Sequence, residues 1–456
     1  MTDPHFAQFR SDISGIAWPP ISTGLGAALA AMLRQLDASQ WMAQVDIVSQ
    51  QHRQLVMLAE HCAEFSPHFR RRLESAGLQP DDLATPEGLR RLPVLSRRDI
   101  QTATDLFCVE IPKDHAPLRE ASTSGSSGEP VRVRRSAIND LDWMAFTLRD
   151  HIWHRRDFRK PMCAIRANVA ELVRAPDWGS PANLLAENGP SLVIPITTPI
   201  DTQIELIRDF APDSLLIYPS NLAALLRAAV ARGIRFDGLR HLRTIGETLS
   251  PALREQARTV CGLEIADAYS SQEIGYFALQ CPASANYHVM AEAVIVEIVD
   301  EHGEPCAPHQ WGRVVVTDLH NFATPLIRYD IGDYAQAGPY CACGRGLPTL
   351  ARIHGRERNL ILMPDGTRHW PLVGFDRFRD IAPVTQYQFI QTGRESVEAR
   401  LVVERALSRS EESALSAHVQ ESLGYPFALT FVYFEAALPL GANGKFEEFI
   451  CRVAPN

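Results

Sequence analysis

The spacing of apolar residues predicts helices in the first quarter of the chain. Between residues 47 and 77, apolar side chains recur every three or four positions, which is the period of a helix buried along one face. The pair Ser66-Pro67 interrupts this pattern and predicts a break between two helices. Ser96, with Asp99 three residues later, has the form of a capping box and predicts the start of a further helix.

From about residue 160 to 270, short apolar runs alternate with helical patterns. The predicted helices are Asn221–Arg232, with Ser220 as its N-cap and Gly233 after its end, and Pro251–Cys261. Strand-like runs lie at 191–195, 214–218 and 242–245. This alternation predicts an α/β fold, in which helices cover the faces of a sheet.

The pattern changes after residue 290. Alternating apolar residues at 294–299 and 313–317 indicate a β-rich section. From residue 356 a helical pattern at 410–423 lies among strand-like runs at 387–391, 397–403 and 427–434. We therefore expect an α/β fold with two domains, a large N-terminal one with mixed sheets and helices (1–355) and a small α+β one (356–456).

Composition and charge exclude several classes of protein. A hydrophobic fraction of 46% and a charged fraction of 22% are typical of a globular protein, and a net charge of -9 argues against a general nucleic-acid binder. We interpret the basic runs Arg70–Arg72 and Arg155–Lys160 as solvated surfaces. No signal-peptide pattern and no apolar run of about 18 residues is present, so no membrane partner is expected. Nine cysteines, an odd number, do not suit a disulfide framework and favour a cytoplasmic location.

A loop rich in serine and glycine follows residue 121. Glycine lets the backbone turn tightly, and hydroxyl groups add hydrogen-bond donors, so such a loop suits a polyphosphate. Taken alone, however, this composition is more typical of an ordinary surface loop. The residues concerned are Ser122, Thr123, Ser124, Gly125, Ser126, Ser127 and Gly128.

Six clusters occur in a distinctive order along the chain. They are the Ser/Gly loop, Gly246-Glu247, Ala268–Glu273, Asn321–Asp333, Gly355-Arg356 and Gly444–Phe446. Their order and spacing resemble the adenylate-forming superfamily of acyl- and aryl-CoA ligases, most closely its phenylacetate–CoA ligase branch. The resemblance runs from about residue 50 to the C-terminus, and Pro-Leu-Ile-Arg-Tyr-x-x-Gly-Asp is its most specific motif.

The resemblance implies a role for each cluster. In this family the Ser/Gly loop holds the β- and γ-phosphates of ATP, the residue matching Tyr269 lies against the adenine, and the one matching Glu273 holds Mg²⁺. The residues matching Asp333 and Arg356 reach the ribose. Other residues expected at the nucleotide are Gly246, Glu247, Ala268, Ser270 and Gln272.

The small domain is expected to be mobile and to carry a catalytic lysine. In the family a lysine at the position of Lys445 moves over the carboxylate and the α-phosphate during adenylation, where its charge offsets the developing negative charge. This sequence departs from the pattern at two places. Gln272 replaces a hydroxyl residue, and Arg358 and Asn359 stand where the hinge usually has an aspartate. The second departure leaves the domain rotation for the second step open.

Four residues have the composition of a zinc site. Cys281 and His288 form one pair and Cys341 and Cys343 another, and thiolates with an imidazole suit tetrahedral structural Zn²⁺. The alternative is that Cys281 is a buried packing residue and that the second pair belongs to an ordinary turn.

The predicted function is ATP- and Mg²⁺-dependent activation of a carboxylic acid as acyl-adenylate, with release of pyrophosphate, followed by transfer to CoA. One alternative passes the acyl group to an amine or to a carrier-protein thiol, and another is a non-catalytic nucleotide-binding protein. Whether the chain forms a homodimer is left open by the sequence. The acid, expected to be aromatic or arylacetic, would contact a pocket formed by Trp143, Phe146, Tyr218, Ile245, Tyr276 and Phe277.

Overall fold

The computed structural model describes residues 9–122, 130–356, 361–369, 378–435, 438–439 and 449–453. The chain divides into two compact units, Met1–His354 and Gly355–Asn456. The roles assigned above to a large and a small domain stay a prediction. Within the described residues no helix combines the length and the apolar character needed to cross a membrane.

Helices form the first part of the larger unit, as the apolar spacing predicts. The Ser66 break is confirmed, since the Ser66 side chain accepts a hydrogen bond from the Phe69 N–H at the start of the third helix. The capping box of Ser96 and Asp99 is also confirmed. The helices are α1 (Gly24–Ser39), α2 (Gln44–Phe65), α3 (Pro67–Ala76), α4 (Pro86–Arg91) and α5 (Arg97–Thr102), with a 3-10 turn at Pro80–Ala84.

A short antiparallel hairpin precedes the main sheet. Its strands are β1 (Arg119–Ser122) and β2 (Arg132–Arg135), and Ser122 lies opposite Arg132. The Ser/Gly loop is the connection between these strands. Helix α6 (Ala137–Trp153) follows at once, beginning at a capping box formed by Ser136 and Asn139.

A mixed sheet is the main feature of the larger unit within the described residues. Its strands are β3 (Met162–Arg166), β4 (Val173–Ala175), β5 (Ser191–Pro195), β6 (Ser214–Ile217), β7 (His241–Ile245), β8 (Ile265–Ser271), β9 (Gly275–Gln280), β10 (Tyr287–Val289), β11 (Val294–Val299), β12 (Trp311–Asp318), β13 (Tyr329–Ala337) and β14 (Thr349–Arg356). Their order in the sheet is β11-β12-β13-β14-β10-β9-β8-β7-β6-β3-β5-β4. Strands β5, β3, β6, β7 and β8 are parallel neighbours, whereas β9 turns back antiparallel to β8.

Helices cover both faces of the parallel strands, which confirms the predicted α/β class. Apolar side chains of α7 (Ile200–Phe210), α8 (Pro219–Ala231) and α9 (Pro251–Cys261) pack on one face with Leu215 and Leu242 of the strands. On the other face Met162 and Ile245 pack in a cluster that includes Phe146 and Leu148 of α6. Because strand residues alternate between faces, these two layers fix which strand side chains point toward α6.

The predicted cap of α8 is wrong. The helix begins at Pro219, with Tyr218 as its N-cap, so Ser220 lies inside the first turn. Proline is favoured at the first helical position because its missing N–H needs no partner there. The Ser220 hydroxyl donates instead to Glu247, at 3.0 Å.

The smaller unit has its own sheet and core, in agreement with the expected strands and helix. Its elements are β15 (Ile361–Leu362), β16 (Arg368–His369), α10 (Phe378–Ile381), β17 (Val384–Gly393), β18 (Ser396–Val403), α11 (Arg409–Leu423), β19 (Ala428–Phe434) and β20 (Phe449–Cys451). The strand order of the sheet is β19-β18-β17-β20, and β17 and β18 are antiparallel. Leu415, Val419 and Leu423 of α11 pack with Phe389 and Ala399 of the sheet.

Candidate active site and metal centre

Two of the predicted nucleotide residues are in direct contact. Tyr269, on β8, donates a hydrogen bond from its hydroxyl to Oδ2 of Asp333 on β13, at 2.7 Å. The Tyr269 ring is buried and meets the edge of Phe277, with 4.8 Å between ring centroids. The contact joins motifs 64 residues apart in the sequence. The fold therefore brings together an aromatic ring and a carboxylate of the kind that accepts hydrogen bonds from ribose hydroxyls.

Glu273 lies in the turn after β8, and its carboxylate is almost fully buried. Nη1 of Arg97, on α5, approaches Oε1 of Glu273 to 3.7 Å, and the Glu273 side chain is only 4% exposed. Burial raises the pKa of the neighbouring Tyr329 hydroxyl, and the Glu273 charge acts in the same direction. A buried carboxylate of this kind suits a hard cation such as Mg²⁺, which binds proteins through one or two carboxylates and takes its other ligands from phosphates and water.

Gly246 and Glu247 form the turn after β7. Gly246 has φ +77°, a left-handed conformation that glycine adopts without a steric penalty. The Glu247 carboxylate accepts hydrogen bonds from the N–H and the hydroxyl of Ser220, at 2.8 and 3.0 Å. Glu247 therefore satisfies a free N–H at the start of α8, a contact that the sequence analysis did not predict.

The hairpin that carries the Ser/Gly loop is tied to the Asn321–Asp333 motif. Thr324 Oγ1 accepts a hydrogen bond from the N–H of Arg134 at 2.8 Å and donates one to its carbonyl at 3.0 Å. Asn321 Oδ1 in turn accepts from the N–H groups of Ala323 and Thr324. The loop thus starts and ends on a strand pair that is anchored to Thr324 of the same motif. Thr123, Ser124, Gly125, Ser126, Ser127 and Gly128 lie outside the described residues.

The predicted acid-pocket residues divide into two groups. Trp143 of α6 stacks on Tyr276 of β9, with ring centroids 4.3 Å apart, and Nη2 of Arg243 donates to the Tyr276 hydroxyl at 2.8 Å. Tyr218 and Ile245 lie at the carboxyl ends of β6 and β7. Phe146 and Phe277 are instead fully buried in the core.

Comparison with known proteins agrees with this arrangement. No protein-family profile matches the chain. The chain is 26% identical over 341 residues to the phenylacetate-coenzyme A ligase of Escherichia coli K12, covering 72% of this chain and 75% of the relative. It is 25% identical over 327 residues to the enzyme of the same name from Thermus thermophilus, covering 69% and 71%. The chain is therefore similar in sequence to phenylacetate–CoA ligases, in agreement with the resemblance of its motifs.

The fold of the adenylate-forming superfamily is also found by structural comparison. A crystal structure of 2-hydroxyisobutyryl-CoA ligase, in the postadenylation state with an acyl-AMP, superposes with a TM-score of 0.72. The match covers 91% of each chain at 19% identity. It supports the fold class, including both units of the chain.

The remaining residues that the family resemblance predicts at the nucleotide lie on or next to the strands of the main sheet, where the structure describes them. Ala268 pairs with Ile245 across β8 and β7, and Ser270 pairs with Tyr276 across β8 and β9. The carbonyl of Gln272 accepts a hydrogen bond from Nη1 of Arg135, at 3.3 Å. Arg356 is the last residue of β14. Lys445, Arg358 and Asn359 lie outside the described residues.

Arg328, in the most specific motif, has a structural role that the sequence analysis did not assign. Its side chain is buried, its Nε lies 3.1 Å from Glu297, and its Nη1 donates to the carbonyls of Arg90 and Leu92 at 2.6 and 2.8 Å. It adopts φ +53°, which is uncommon outside glycine. The motif therefore joins α4, β11 and β13 beside the site.

The four predicted metal ligands come together in the larger unit. The ligand atoms of Cys281, His288, Cys341 and Cys343 lie within 4.8 Å of one another. Sγ of Cys341 is 3.8 Å from Sγ of Cys281, and Sγ of Cys343 is 3.2 Å from Nε2 of His288. Zinc–sulfur bonds of about 2.3 Å in a tetrahedron place two sulfurs about 3.8 Å apart, so this spacing fits zinc.

The surroundings of the cluster also suit a metal. Nδ1 of His288 lies 3.4 Å from the Leu347 carbonyl, which leaves Nε2 directed at the thiols. Metal-bound histidines usually donate their other ring N–H in this way. The N–H of Ala283 donates to Sγ of Cys281, at 3.4 Å.

A histidine that the sequence analysis missed lies before the Asn321 motif. Nδ1 of His320 is 2.9 Å from Oδ2 of Asp142, and the His320 N–H donates to Asp318 at 3.1 Å. Burial alone would lower the pKa of His320, but the Asp142 carboxylate outweighs it and raises the pKa to about 8. A charged His320 therefore stabilises the folded chain.

Relative to His320→Gln, the free energy of unfolding of the wild type is expected to fall by about 1–2 kcal/mol as pH rises from 6.5 to 8, because His320 loses its proton in the folded state in that window. Buried histidines such as His52, His151 and His154 have lowered pKa values, so they add stability as the unfolded chain loses protons, but they do so equally in both proteins. Urea unfolding of both proteins at both pH values tests this. The same pH dependence in wild type and His320→Gln would contradict the assignment.

Proposed function

We propose that the chain is an AMP-forming acid–thiol ligase that activates a carboxylic acid as its acyl-adenylate and transfers the acyl group to CoA. The observation that carries the proposal is the contact between Tyr269 and Asp333, together with the buried carboxylate of Glu273 in the turn after β8. These are the residues that adenine, ribose and Mg²⁺ would need, and they stand at the positions of the family pattern. The identity to phenylacetate–CoA ligases supports the same reaction class.

The proposed reaction has two steps. In the first, a carboxylate oxygen attacks the α-phosphorus of ATP, and pyrophosphate leaves. In the second, the thiol sulfur attacks the acyl carbon, AMP leaves, and the thiol proton passes to solvent. The first step gives the acid a good leaving group, AMP, and the second step uses that activation to form the thioester.

We assign the chain's own residues to binding and positioning. Tyr269 would lie against the adenine, Asp333 would accept hydrogen bonds from the ribose hydroxyls, and Glu273 would hold Mg²⁺. When bound, Mg²⁺ would neutralise phosphate charge. The Ser/Gly loop would hold the β- and γ-phosphates, and Lys445 would offset negative charge between the acid and the α-phosphate.

Product analysis tests the acceptor. Incubation with ATP, Mg²⁺, phenylacetate and related acids, and CoA should yield the acyl-CoA thioester and one AMP per thioester. Hydroxylamine in place of CoA should trap the adenylate as a hydroxamate. A hydroxamate without any thioester would shift the assignment to an amine or carrier-protein acceptor, and neither product with any acid would support the non-catalytic alternative.

We further propose that Cys281, His288, Cys341 and Cys343 bind one structural zinc ion. The sulfur spacing and the orientation of His288 support this metal. Three thiolates and one imidazole leave no open coordination position, which is typical of structural rather than catalytic zinc. The ion would join the turn after β9 to the turn before β14.

Purified protein is expected to contain about one zinc per chain after washing with a chelator under native conditions, because a four-ligand site releases its metal slowly unless the chain unfolds. Cys341→Ser should lose the zinc and lower the midpoint of thermal unfolding. Cys306→Ser is the matched control, since Cys306 is a partly buried cysteine outside the cluster. Metal-free wild-type protein with unchanged stability in Cys341→Ser would show that these cysteines only pack.

A further inference from the structure

A cavity of about 110 Å³ lies between α6 and the parallel strands. A cavity of this size has room for a few non-hydrogen atoms, since an engineered cavity of about 150 Å³ accepts benzene. Its wall combines apolar side chains with charged ones and includes Thr147, His151, Arg156, Trp178, Ser214 and Arg243.

The cavity carries an excess of positive charge. Nη1 of Arg156 lies 2.6 Å from the Asp150 carboxylate, and Nε of Arg243 lies 2.9 Å from it. All three residues are buried. Burial lowers the pKa of His151 well below its usual value, and the two arginines act in the same direction, so this ring is neutral. Two guanidinium groups therefore share one carboxylate.

Carboxylates on neighbouring elements do not remove this excess at the cavity wall. Asp267, which lies near Arg243, also lies near Arg254, whose charge offsets that of Asp267. His154, 3.7 Å from Asp150, has its pKa lowered to about 4 by burial. A hydrogen-bond acceptor in the cavity would meet a positive field.

Two donors on the cavity wall have no hydrogen-bond partner among the described residues. They are Nη2 of Arg156, a residue only 1% exposed, and Oγ of Ser214, a residue only 5% exposed. Buried donors that lack an acceptor cost free energy, most of all when they are charged. Both therefore favour a bound group that offers acceptor oxygens.

The cavity continues the face of the sheet that carries the predicted acid pocket. Ser214, Leu216 and Tyr218 alternate along β6 and share one side, as do Arg243 and Ile245 on β7. Tyr218 and Ile245 are predicted pocket residues at the carboxyl ends of these strands, whereas Ser214 lies at the amino end.

Residues on one face of helix α6 also run from the predicted acid pocket to the cavity. Trp143, Thr147 and His151 recur every four residues and so lie on one face of the helix. Trp143 stacks on Tyr276, and the Tyr276 hydroxyl is 3.3 Å from Thr147 Oγ1 and 2.8 Å from Nη2 of Arg243. Tyr276 therefore touches both the predicted pocket and the wall of the cavity.

We infer that this cavity is the far end of the acid-binding pocket and that it selects acids carrying a hydrogen-bond acceptor at the end opposite the reacting carboxylate. The inference rests on the proposed function. Arg156 Nη2 and Ser214 Oγ donate to the distal acceptor, and the excess positive charge favours an anionic one. The apolar side chains of Met162, Trp178 and Leu216 in the cavity wall contact the carbon skeleton near its distal end.

Matched pairs of acids test the inference through acid-dependent pyrophosphate exchange. Suitable pairs are 4-carboxyphenylacetate with phenylacetate, and adipate with hexanoate; 4-acetylphenylacetate adds a neutral acceptor. We expect kcat/KM to favour the acceptor-bearing acid by about tenfold or more in at least one pair, since hydrogen bonds to charged donors are among the stronger ones. Comparison of 4-acetylphenylacetate with 4-carboxyphenylacetate separates the effect of hydrogen bonding from that of charge.

Two serine variants locate the effect. Ser214→Ala should reduce the preference ratio about fivefold, the effect expected for one neutral hydrogen bond. Ser191→Ala is the matched control, because Ser191 begins strand β5 on the other side of β3 and both serines lie opposite Met162 of β3. The Ser191 hydroxyl already donates to the Asp177 carbonyl at 2.6 Å, so its loss should leave the ratio unchanged.

The outcomes separate this inference from the proposed function. Pyrophosphate exchange with acids that lack a distal acceptor, but no preference within any pair, would overturn the inference. The ligase assignment would stay intact, and the cavity would hold only water. Equal changes of the ratio in Ser214→Ala and Ser191→Ala would overturn it as well. Absence of exchange with every acid would instead contradict the proposed function.

Discussion

Glu273→Gln is expected to slow acid-dependent pyrophosphate exchange by about 10²–10³-fold, the range for losing one preorganised electrostatic contact in an active site. The substitution keeps the shape of the side chain but removes the charge that would hold Mg²⁺. The Mg²⁺ concentration for half-maximal rate should rise, because a neutral amide is a weaker ligand for a hard cation. Exchange rates measured across a Mg²⁺ series give both quantities.

Glu297→Gln is the matched control for Glu273→Gln. Glu297 is also a buried carboxylate beside an arginine, 3.1 Å from Nε of Arg328, but it belongs to β11 and supports the fold. It should lower stability without changing the Mg²⁺ requirement. If Glu273→Gln kept an exchange rate within about threefold of wild type at the same Mg²⁺ requirement, Glu273 would be only a partner for Arg97.

Lys445→Ala is expected to slow adenylation by about 10²–10³-fold. The acid and the ATP phosphates repel each other as they approach, and a cation between them offsets that repulsion. After pyrophosphate leaves, the adenylate is a reactive mixed anhydride that needs less electrostatic help. The variant, supplied with synthetic acyl-adenylate and CoA, should therefore form thioester at nearly the normal rate.

The control for Lys445 is Lys113→Ala, at an exposed lysine in a chain that contains only three. It should leave both steps unchanged. Equal losses in both steps for Lys445→Ala would mean that this lysine supports the fold or both domain arrangements. Arg358→Pro gives the opposite test, since a stiffened hinge should spare adenylation and block thioester formation.

Local features were predictable from the sequence where their cause is local. The break at Ser66 and the capping box at Ser96 depend on side chains within a few residues, and both are confirmed. The metal cluster was predictable from residue type and pair spacing, although the contact between the two pairs arises from the fold. The meeting of Tyr269 with Asp333 was accessible only through the family resemblance, because no local pattern links strands β8 and β13.

Features that depend on tertiary packing were not predictable. The basic runs were interpreted as solvated surfaces, but Arg156 is fully buried beside Asp150, and Arg72 donates to the carbonyls of Pro93 and Ile327. Whether an arginine is exposed depends on which elements cover it, and a single sequence does not show that. The same reason applies to Ser220, whose hydroxyl binds Glu247 from a turn 27 residues away.

Acid-dependent exchange of labelled pyrophosphate into ATP is the most direct test of the assigned chemistry, because it reports reversible adenylate formation and needs no acceptor. The rate should depend on all of acid, ATP and Mg²⁺, and should fall in Glu273→Gln and Lys445→Ala. Label entering ATP at the same rate without any acid, or no label entering ATP with any acid of the panel in folded, ATP-binding protein, would contradict the account.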